Sequence, residues 1–227
     1  MFRANDLFDL EQTMAAAIFG SAVFAWEAIP KIAGFIQELS QSLSSEFERI
    51  AENVWAGKGT VIDPSVTIIG PAIIGFDCRI RHTAYIRENV IIGHESIVGN
   101  STELKNAILF NSVQVPHFNY VGDSILGHRA HLGAGVILSN VKSFKDTIKI
   151  KTPGGEPIET GLRKFGALIG DNVEVGCNAV LNPGTIVGKN SIIYPLTAVR
   201  GYIPPERILK NHGKLVVRDP SESSGLI

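Results

Sequence analysis

From Ile62 onward, every sixth residue of this chain is aliphatic. Ile62, Ile68, Ile74, Ile80, Ile86, Ile92, Val98 and Leu104 are followed, after a step one residue short, by Leu109, Val115 and Val121. A second short step leads to Leu126, Leu132 and Leu138. After a long interruption the series resumes at Ile169, Val175, Leu181, Val187, Ile193 and Val199. All twenty positions are Ile, Val or Leu, types that fill roughly a quarter of ordinary chains. A period of six fits neither a helix nor a simple alternating strand. It is the signature of a parallel β-helix, in which each hexad forms one short side and three sides close one coil. The repeating aliphatic residue points into the coil. A small residue often follows it, as at Gly75, Gly93, Gly99, Gly122, Gly127, Gly133, Gly170, Gly176 and Gly188. These glycines are expected to let the chain turn its corners, since glycine tolerates unusual backbone angles. Twenty hexads predict six to seven coils. The 23 glycines and the aromatic content of 7% suit an interior too narrow for rings.

The repeat divides the chain. Residues 1–54 read as an N-terminal helical region, 55–203 as the β-helix, and 204–227 as a tail that begins at Pro204 and Pro205. In the first region, the apolar run Met14 to Trp26 is expected to form a buried or partner-facing helix. It is too short to span a bilayer, which takes about 20 apolar residues. Asp6, Asp9 and Glu11 precede it, unlike the basic start of a secretory signal. A second helix is expected from near Pro30 to about Val54, with Ile32, Phe35, Ile36, Leu39, Leu43, Phe47 and Ile50 at helical spacing. Residues 139–167 lack the repeat and carry Lys142, Lys145, Lys149, Lys151, a Pro153-Gly154-Gly155 turn signal and Arg163-Lys164. A long loop thrown out of a rigid coil is where function concentrates. The tail is expected to fray from Ser221 to Gly225 and to cap the coil or cross a neighbour. A net charge of −1 argues against nucleic acid or an anionic membrane as partner. Cys78 and Cys177 make no disulfide framework, which fits a reducing, cytoplasmic setting.

One block speaks about chemistry. It contains Ala84-Tyr85-Ile86-Arg87, then Gly99-Asn100-Ser101-Thr102-Glu103-Leu104-Lys105, then His117-Phe118-Asn119-Tyr120-Val121-Gly122-Asp123-Ser124, then His131-Leu132-Gly133-Ala134-Gly135, and Ser139-Asn140-Val141. In order and spacing it resembles the acetyltransferase domain of the bifunctional bacterial enzymes that acetylate glucosamine-1-phosphate and then uridylylate it. The H-x-x-Y-x-G-D run is specific within hexapeptide proteins, and the resemblance covers about residues 60–200. It implies a mainly β fold, the left-handed parallel β-helix, as a homotrimer with active sites between the prisms of adjacent subunits. It implies acetyl-CoA as cosubstrate and the amine of an amino-sugar phosphate as acceptor, with no metal. No nucleotidyltransferase signature precedes the coil.

The resemblance also implies roles. His117 matches the general base that takes a proton from the attacking amine. Arg87 and Lys105 match cations that hold the sugar phosphate, and Tyr120 and Asn140 match groups that hydrogen-bond the sugar. His131 stands where the family has a sugar-contacting asparagine, and Tyr85 replaces a family arginine. Lys145 or Lys142 stands for the family's loop lysine, and coenzyme A would lie along later coils near Gly176, Cys177 and Ala179. Three other readings stay open. One is transfer of a long acyl chain from acyl carrier protein to a nucleotide sugar. Another is a non-catalytic structural module. The last is a zinc hydrolase built on His117, His128 and His131.

Overall fold

A computed structural model of the chain describes residues 1–144, 146–152 and 155–219. Three parallel ladders run the length of the coil. One passes through Val54–Gly57, Ala72–Ile74, Val90–Ile92, the second halves of Glu103–Leu109 and Tyr120–Leu126, Ala167–Ile169, Thr185–Val187 and Tyr202–Ile203. The second begins at Val61–Ile62 and reaches Arg207–Leu209, and the third runs from Thr67–Ile68 to Ala198–Val199. The first two faces are eight strands deep, so the stack makes about eight turns. This exceeds the six to seven coils expected. The count by hexads missed Val54–Gly57 at one end and Tyr202–Ile203 and Arg207–Leu209 at the other. The last of these pairs with Ile192–Ile193, so Pro204 and Pro205 sit at a corner and do not end the coil.

The six-residue series does what its pattern implies. Eighteen of the twenty aliphatic positions are buried. The exceptions, Ile62 and Ile68, lie half-buried at the start of the stack. The two short steps have a structural counterpart. Most stacked residues are 18 apart, but Ile91, Ile108 and Ile125 stack at intervals of 17. There the third face runs into the first as one continuous strand, with Asn106 (φ +47°) and Asp123 (φ +48°) turning the corner.

The glycines act differently from the expectation. None of the nine that follow the aliphatic series has positive φ. The left-handed corners are taken by residues such as Asp77, Asn89, Glu95, Asn172 and Asn190; Asn and Asp tolerate that region best among residues other than glycine. The glycines are needed because the neighbouring coil comes close. A Cβ on Gly75 would lie 2.7 Å from the backbone nitrogen of His94, and one on Gly170 equally near that of Lys189.

The N-terminal region folds into less helix than its spacing suggests. The run from Met14 forms short 3-10 turns, Ala16–Phe19 and Ala25–Lys31, broken near Gly20. The one sizeable α-helix is Ile32–Ser40, shorter than the expected span to Val54. Its end is marked by hydroxyls that return to the last turn: Ser40 Oγ donates to Gln37 O and Ser42 Oγ to Leu39 O. Phe47–Ala51 then pairs antiparallel with Val54–Gly57, turned by Asn53 at φ +53°. Phe47 packs on Phe76 of the coil, with ring centroids 4.7 Å apart. The apolar spacing at Phe47 therefore belongs to a strand.

This region lies along the first face. On that face the residue before each inward aliphatic is itself apolar: Ile73, Ile91, Ile108, Ile125, Leu168 and Ile186, stacked in register. Side chains alternate along a strand, so this second stripe points outward, yet all six residues are 0% exposed. Ile32, Ile36, Trp26, Phe8 and Phe2 belong to the same core. Phe8 meets Phe110 at 5.0 Å and Phe2 meets Tyr202 edge-on at 4.9 Å. Asp171 fastens the segment. Its Oδ2 accepts Asp9 N at 2.7 Å and lies 3.1 Å from Lys189 Nζ, while its Oδ1 accepts His128 N at 2.8 Å.

The insertion is closed at its base. Between Ser124 and Ala167 the chain is 43 residues long where a coil needs 17 or 18. Phe165 N donates to Asn140 O, Gly166 N to Asp123 O, and Val141 bridges Lys164. Lys149–Ile150 and Ile158–Glu159 form a small hairpin. Ile148, Ile150 and Phe165 are fully buried, and Phe165 reaches Trp26 at 6.2 Å. Pro153, Gly154, Lys145 and residues 220–227, including the tail expected to fray, lie outside the described residues. Leu215–Val217 turns back antiparallel onto Arg207–Leu209 and so covers the last coil.

If the outward stripe is a true core, Ile108→Ala costs about 2–5 kcal/mol of unfolding free energy in urea, the range for a buried aliphatic. Gln114→Ala on the exposed second face costs under about 0.5 kcal/mol. Equal small losses would show that the N-terminal segment does not hold to the first face.

Candidate functional site

Stacking makes neighbours of residues a coil apart, and on the third face it collects Arg87, Lys105, Tyr120 and Asn140. Tyr85, Glu103, Tyr120 and Ile137 stand in one outward column. Two positions on, Lys105 pairs with Gly122 and falls beside Arg87, because Leu104 pairs with Ile86. Arg87 Nη1 donates to Glu103 Oε1 at 3.0 Å, and its Nε lies 3.7 Å from Glu88 Oε2. The Glu103 bond holds the guanidinium above its already high ordinary range. Lys105 makes no ion pair among the described residues.

Asn140 joins the group from the start of the insertion. Its Nδ2 donates to Asp123 Oδ2 at 2.5 Å, and Asn106 Nδ2 donates to Asp123 Oδ1 at 2.8 Å. Burial first, then the charges of Glu103 and Asp123, pushes the Tyr120 phenol above the usual tyrosine range; a bond from Asn140 opposes them. Gly122 makes room for this meeting. A Cβ there would lie 2.6 Å from Tyr120 Oη and 2.8 Å from Asn140 Nδ2.

His117 ends the strand Gln114–His117 at the corner between the second and third faces, three residues before Tyr120. Its backbone is fixed: N donates to Asn119 Oδ1 at 3.2 Å and O accepts Gly135 N at 3.0 Å. Asn119 is itself buried and donates to Gly133 O at 2.8 Å. The pinned corner leaves the imidazole of His117 exposed, with no hydrogen-bond partner among the described residues. Beside it Phe118 is 59% exposed at φ +52°, a backbone region rarely adopted by a bulky side chain.

Other expected residues fall elsewhere. His131 lies on the second face, stacked between Gln114 and Glu174, and its Nδ1 is 2.7 Å from Glu174 Oε2. It is not part of the Tyr120 cluster, because the hexad that carries it forms a different side of the coil. Ala179 is 0% exposed and offers nothing to a ligand on the outside, which corrects its assignment to coenzyme A. Cys177, two residues earlier, is exposed. Lys145 lies outside the described residues, and Lys142 Nζ donates to Thr147 O within its own loop. His128 Nδ1 sits 2.9 Å from Asn111 O, and within one chain no group of three or more His, Cys, Asp or Glu gathers among the described residues. Sequence reading gave Glu103 and Asp123 no role, although both stood inside the quoted motifs.

Two family models match the chain: the GMPPB C-terminal domain over residues 68–153 and the bacterial transferase hexapeptide (six repeats) over 166–201. The bifunctional protein GlmU of Methanococcus maripaludis (strain C5) is 33% identical over 195 residues, covering 85% of this chain and 47% of that protein. The chain thus spans about half the length of the GlmU proteins it matches. The uncharacterized acetyltransferase YaiX of Escherichia coli O6:K15:H31 is 32% identical over 198 residues, covering 79% of this chain and 84% of that one. A solved N-acyltransferase from Bacillus cereus, AntD, aligns with a TM-score of 0.41 at 15% identity over 79% of this chain and 94% of that one, too distant to bear on the assignment.

Two cysteines give a direct check on the coil. Cys78 is buried, its thiol bonds Gly93 O at 3.1 Å, and burial pushes its pKa up to about 11. A thiol reagent at pH 8 labels Cys177 alone in the folded protein and both cysteines in denaturant; rapid labelling of Cys78 in the folded state would contradict the packing. The Tyr120 phenol gives a second check. In a spectrophotometric titration, the contribution lost in Tyr120→Phe should lie above the ordinary tyrosine midpoint near pH 10. The parallel ladders, the six-residue core and the match over most of the YaiX chain agree: this chain belongs to the hexapeptide-repeat acyltransferase family.

Proposed function

We propose that the chain transfers an acetyl group from acetyl-CoA to the amine of a phosphorylated amino sugar. The observation that carries this reading is the His117 corner. It presents an imidazole without a partner among the described residues next to a face that bears a guanidinium, an ammonium, a phenol and an amide. In the proposed reaction the substrate nitrogen attacks the thioester carbonyl while His117 Nε2 or Nδ1 takes its proton. The N–C bond forms, the C–S bond breaks, and the thiol of coenzyme A leaves with a proton. An imidazole suits this step because its ordinary pKa lies near neutrality. Arg87 and Lys105 would take the phosphate, the first as a fork already steadied by Glu103, the second as a point charge. Tyr120 and Asn140 would hold the sugar, and Cys177 would lie along the path of the pantetheine.

GlmU relatives are bifunctional by name, and YaiX is named an acetyltransferase. The second name supports acyl transfer. The cluster sits on the outward face of a convex coil, so one chain gives it no enclosing wall. We therefore propose a homotrimer in which a neighbour closes the site, with Phe118 at the contact. No helix among the described residues is long and apolar enough to cross a membrane.

With acetyl-CoA and a panel of amino-sugar phosphates, His117→Ala lowers kcat/KM by about 100-fold or more and leaves the melting temperature within a few degrees. A variant as active as wild type would remove the catalytic role. Static light scattering at micromolar concentration gives three times the chain mass; a monomer there would overturn the shared site. If acyl carrier protein bearing an acyl chain raises the melting temperature and acetyl-CoA does not, the donor is the carrier protein.

A further inference from the structure

Asp123 takes no part in the chemistry proposed above. It is 5% exposed and forms no salt bridge among the described residues. One oxygen accepts from Asn106 and the other from Asn140. An ionised carboxylate only accepts, so it dictates which end of each facing amide it meets. Shape alone leaves an asparagine amide free to flip; here the carboxylate fixes nitrogen inward. The Asn140 nitrogen also converges with Tyr120 Oη over Gly122. Its donor is thus committed to Asp123, with the Tyr120 phenol beside it. Its Oδ1 receives no hydrogen bond among the described residues, and is an acceptor without a donor.

We infer that Asp123 is a positioning residue, which holds Asn140 with its carbonyl presented to the acceptor substrate. The site then recognises a hydrogen-bond donor at that point, a hydroxyl or an amine, and disfavours a ligand that offers an acceptor there. The identity of the ligand rests on the acyltransferase reading; the orientation of the amide does not.

Asp123→Asn tests it. Asparagine tolerates the φ of +48° at this corner, but it offers one amide oxygen to two donors, so Asn106 or Asn140 must turn. In protein labelled with 15N-asparagine, the Asn140 side-chain pair is the one missing from Asn140→Ala. Its carboxylate-bound proton lies downfield in the wild type and moves upfield in Asp123→Asn. An unchanged signal overturns the proposal. Should the variant not fold, the wild-type pair decides: a proton at the position of free amides overturns it equally. In kinetics with an amino-sugar acceptor, Asp123→Asn raises the acceptor KM about tenfold, the scale of a charge-assisted hydrogen bond, and leaves the acetyl-CoA KM in place. Added to Asn140→Ala it has no further effect; if the two losses multiply, Asp123 does not act through Asn140. A wild type that acetylates no acceptor would sink the acyl-transfer reading, while the amide signal still judges Asp123.

Discussion

Everything in this molecule depends on one interaction, the hydrogen bonding of each coil's backbone to the next. Gly75 N donates to Ile92 O, Gly93 N to Leu109 O, and Gly127 N to Ile169 O, and the pattern persists on all three faces. Such a ladder fixes the distance between coils at about 4.8 Å. It also fixes register, and with it which side chains become neighbours. Hydroxyls reinforce it at the corner between the first and second faces. Thr60 Oγ1 donates to Gly75 O at 2.6 Å, Ser96 Oγ to Phe110 O at 3.1 Å and Ser191 Oγ to Pro204 O at 3.0 Å. The glycines matter for the same reason: two backbones this close leave no space for a Cβ between them.

The candidate site follows directly from that register. Arg87, Glu103, Tyr120 and Asn140 are scattered over more than fifty residues, yet adjacent strands bring them onto one face. Only Asn140 comes from the start of the insertion. The two coils with a 17-residue spacing add a detail: their shortened corners are Asn106 and Asp123, the pair that converges with Asn140. The same corner anchors the insertion through Gly166 N and Asp123 O. Asp123 thus ties coil, insertion and site together, its side chain serving the amides and its carbonyl the closing strand.

Much of this was legible in the chain itself. The six-residue period gave the inward core because inward positions obey one rule on every side. The outward stripe of Ile73, Ile91, Ile108 and Ile125 was equally periodic but on one side in three, and a search for every sixth residue passes over it. It is what tells the N-terminal region where to lie. Phe47 and Ile50 misled because apolar residues three apart suit a helix as well as a strand facing two environments; Asn53 and the pairing with Val54–Gly57 settled the matter by tertiary contact. Within the site, His117, Arg87, Lys105, Tyr120 and Asn140 could be found by motif. His131 lies on another face of the same coil because a motif states order along the chain, whereas membership of a face depends on the phase of the hexad; Ala179 points inward.

Both ends of the stack close in the same way. Phe47–Ala51 runs antiparallel to the first coil and Leu215–Val217 antiparallel to the last. A parallel β-helix presents at each end a row of unpaired peptide groups with the direction and spacing of the coil itself, so each end is a template for another molecule. On one face at each end, a strand of reversed direction uses up those groups and replaces them with an edge that does not continue the helix. The two short hairpins therefore oppose end-to-end pairing along the first face at one end and along the second face at the other.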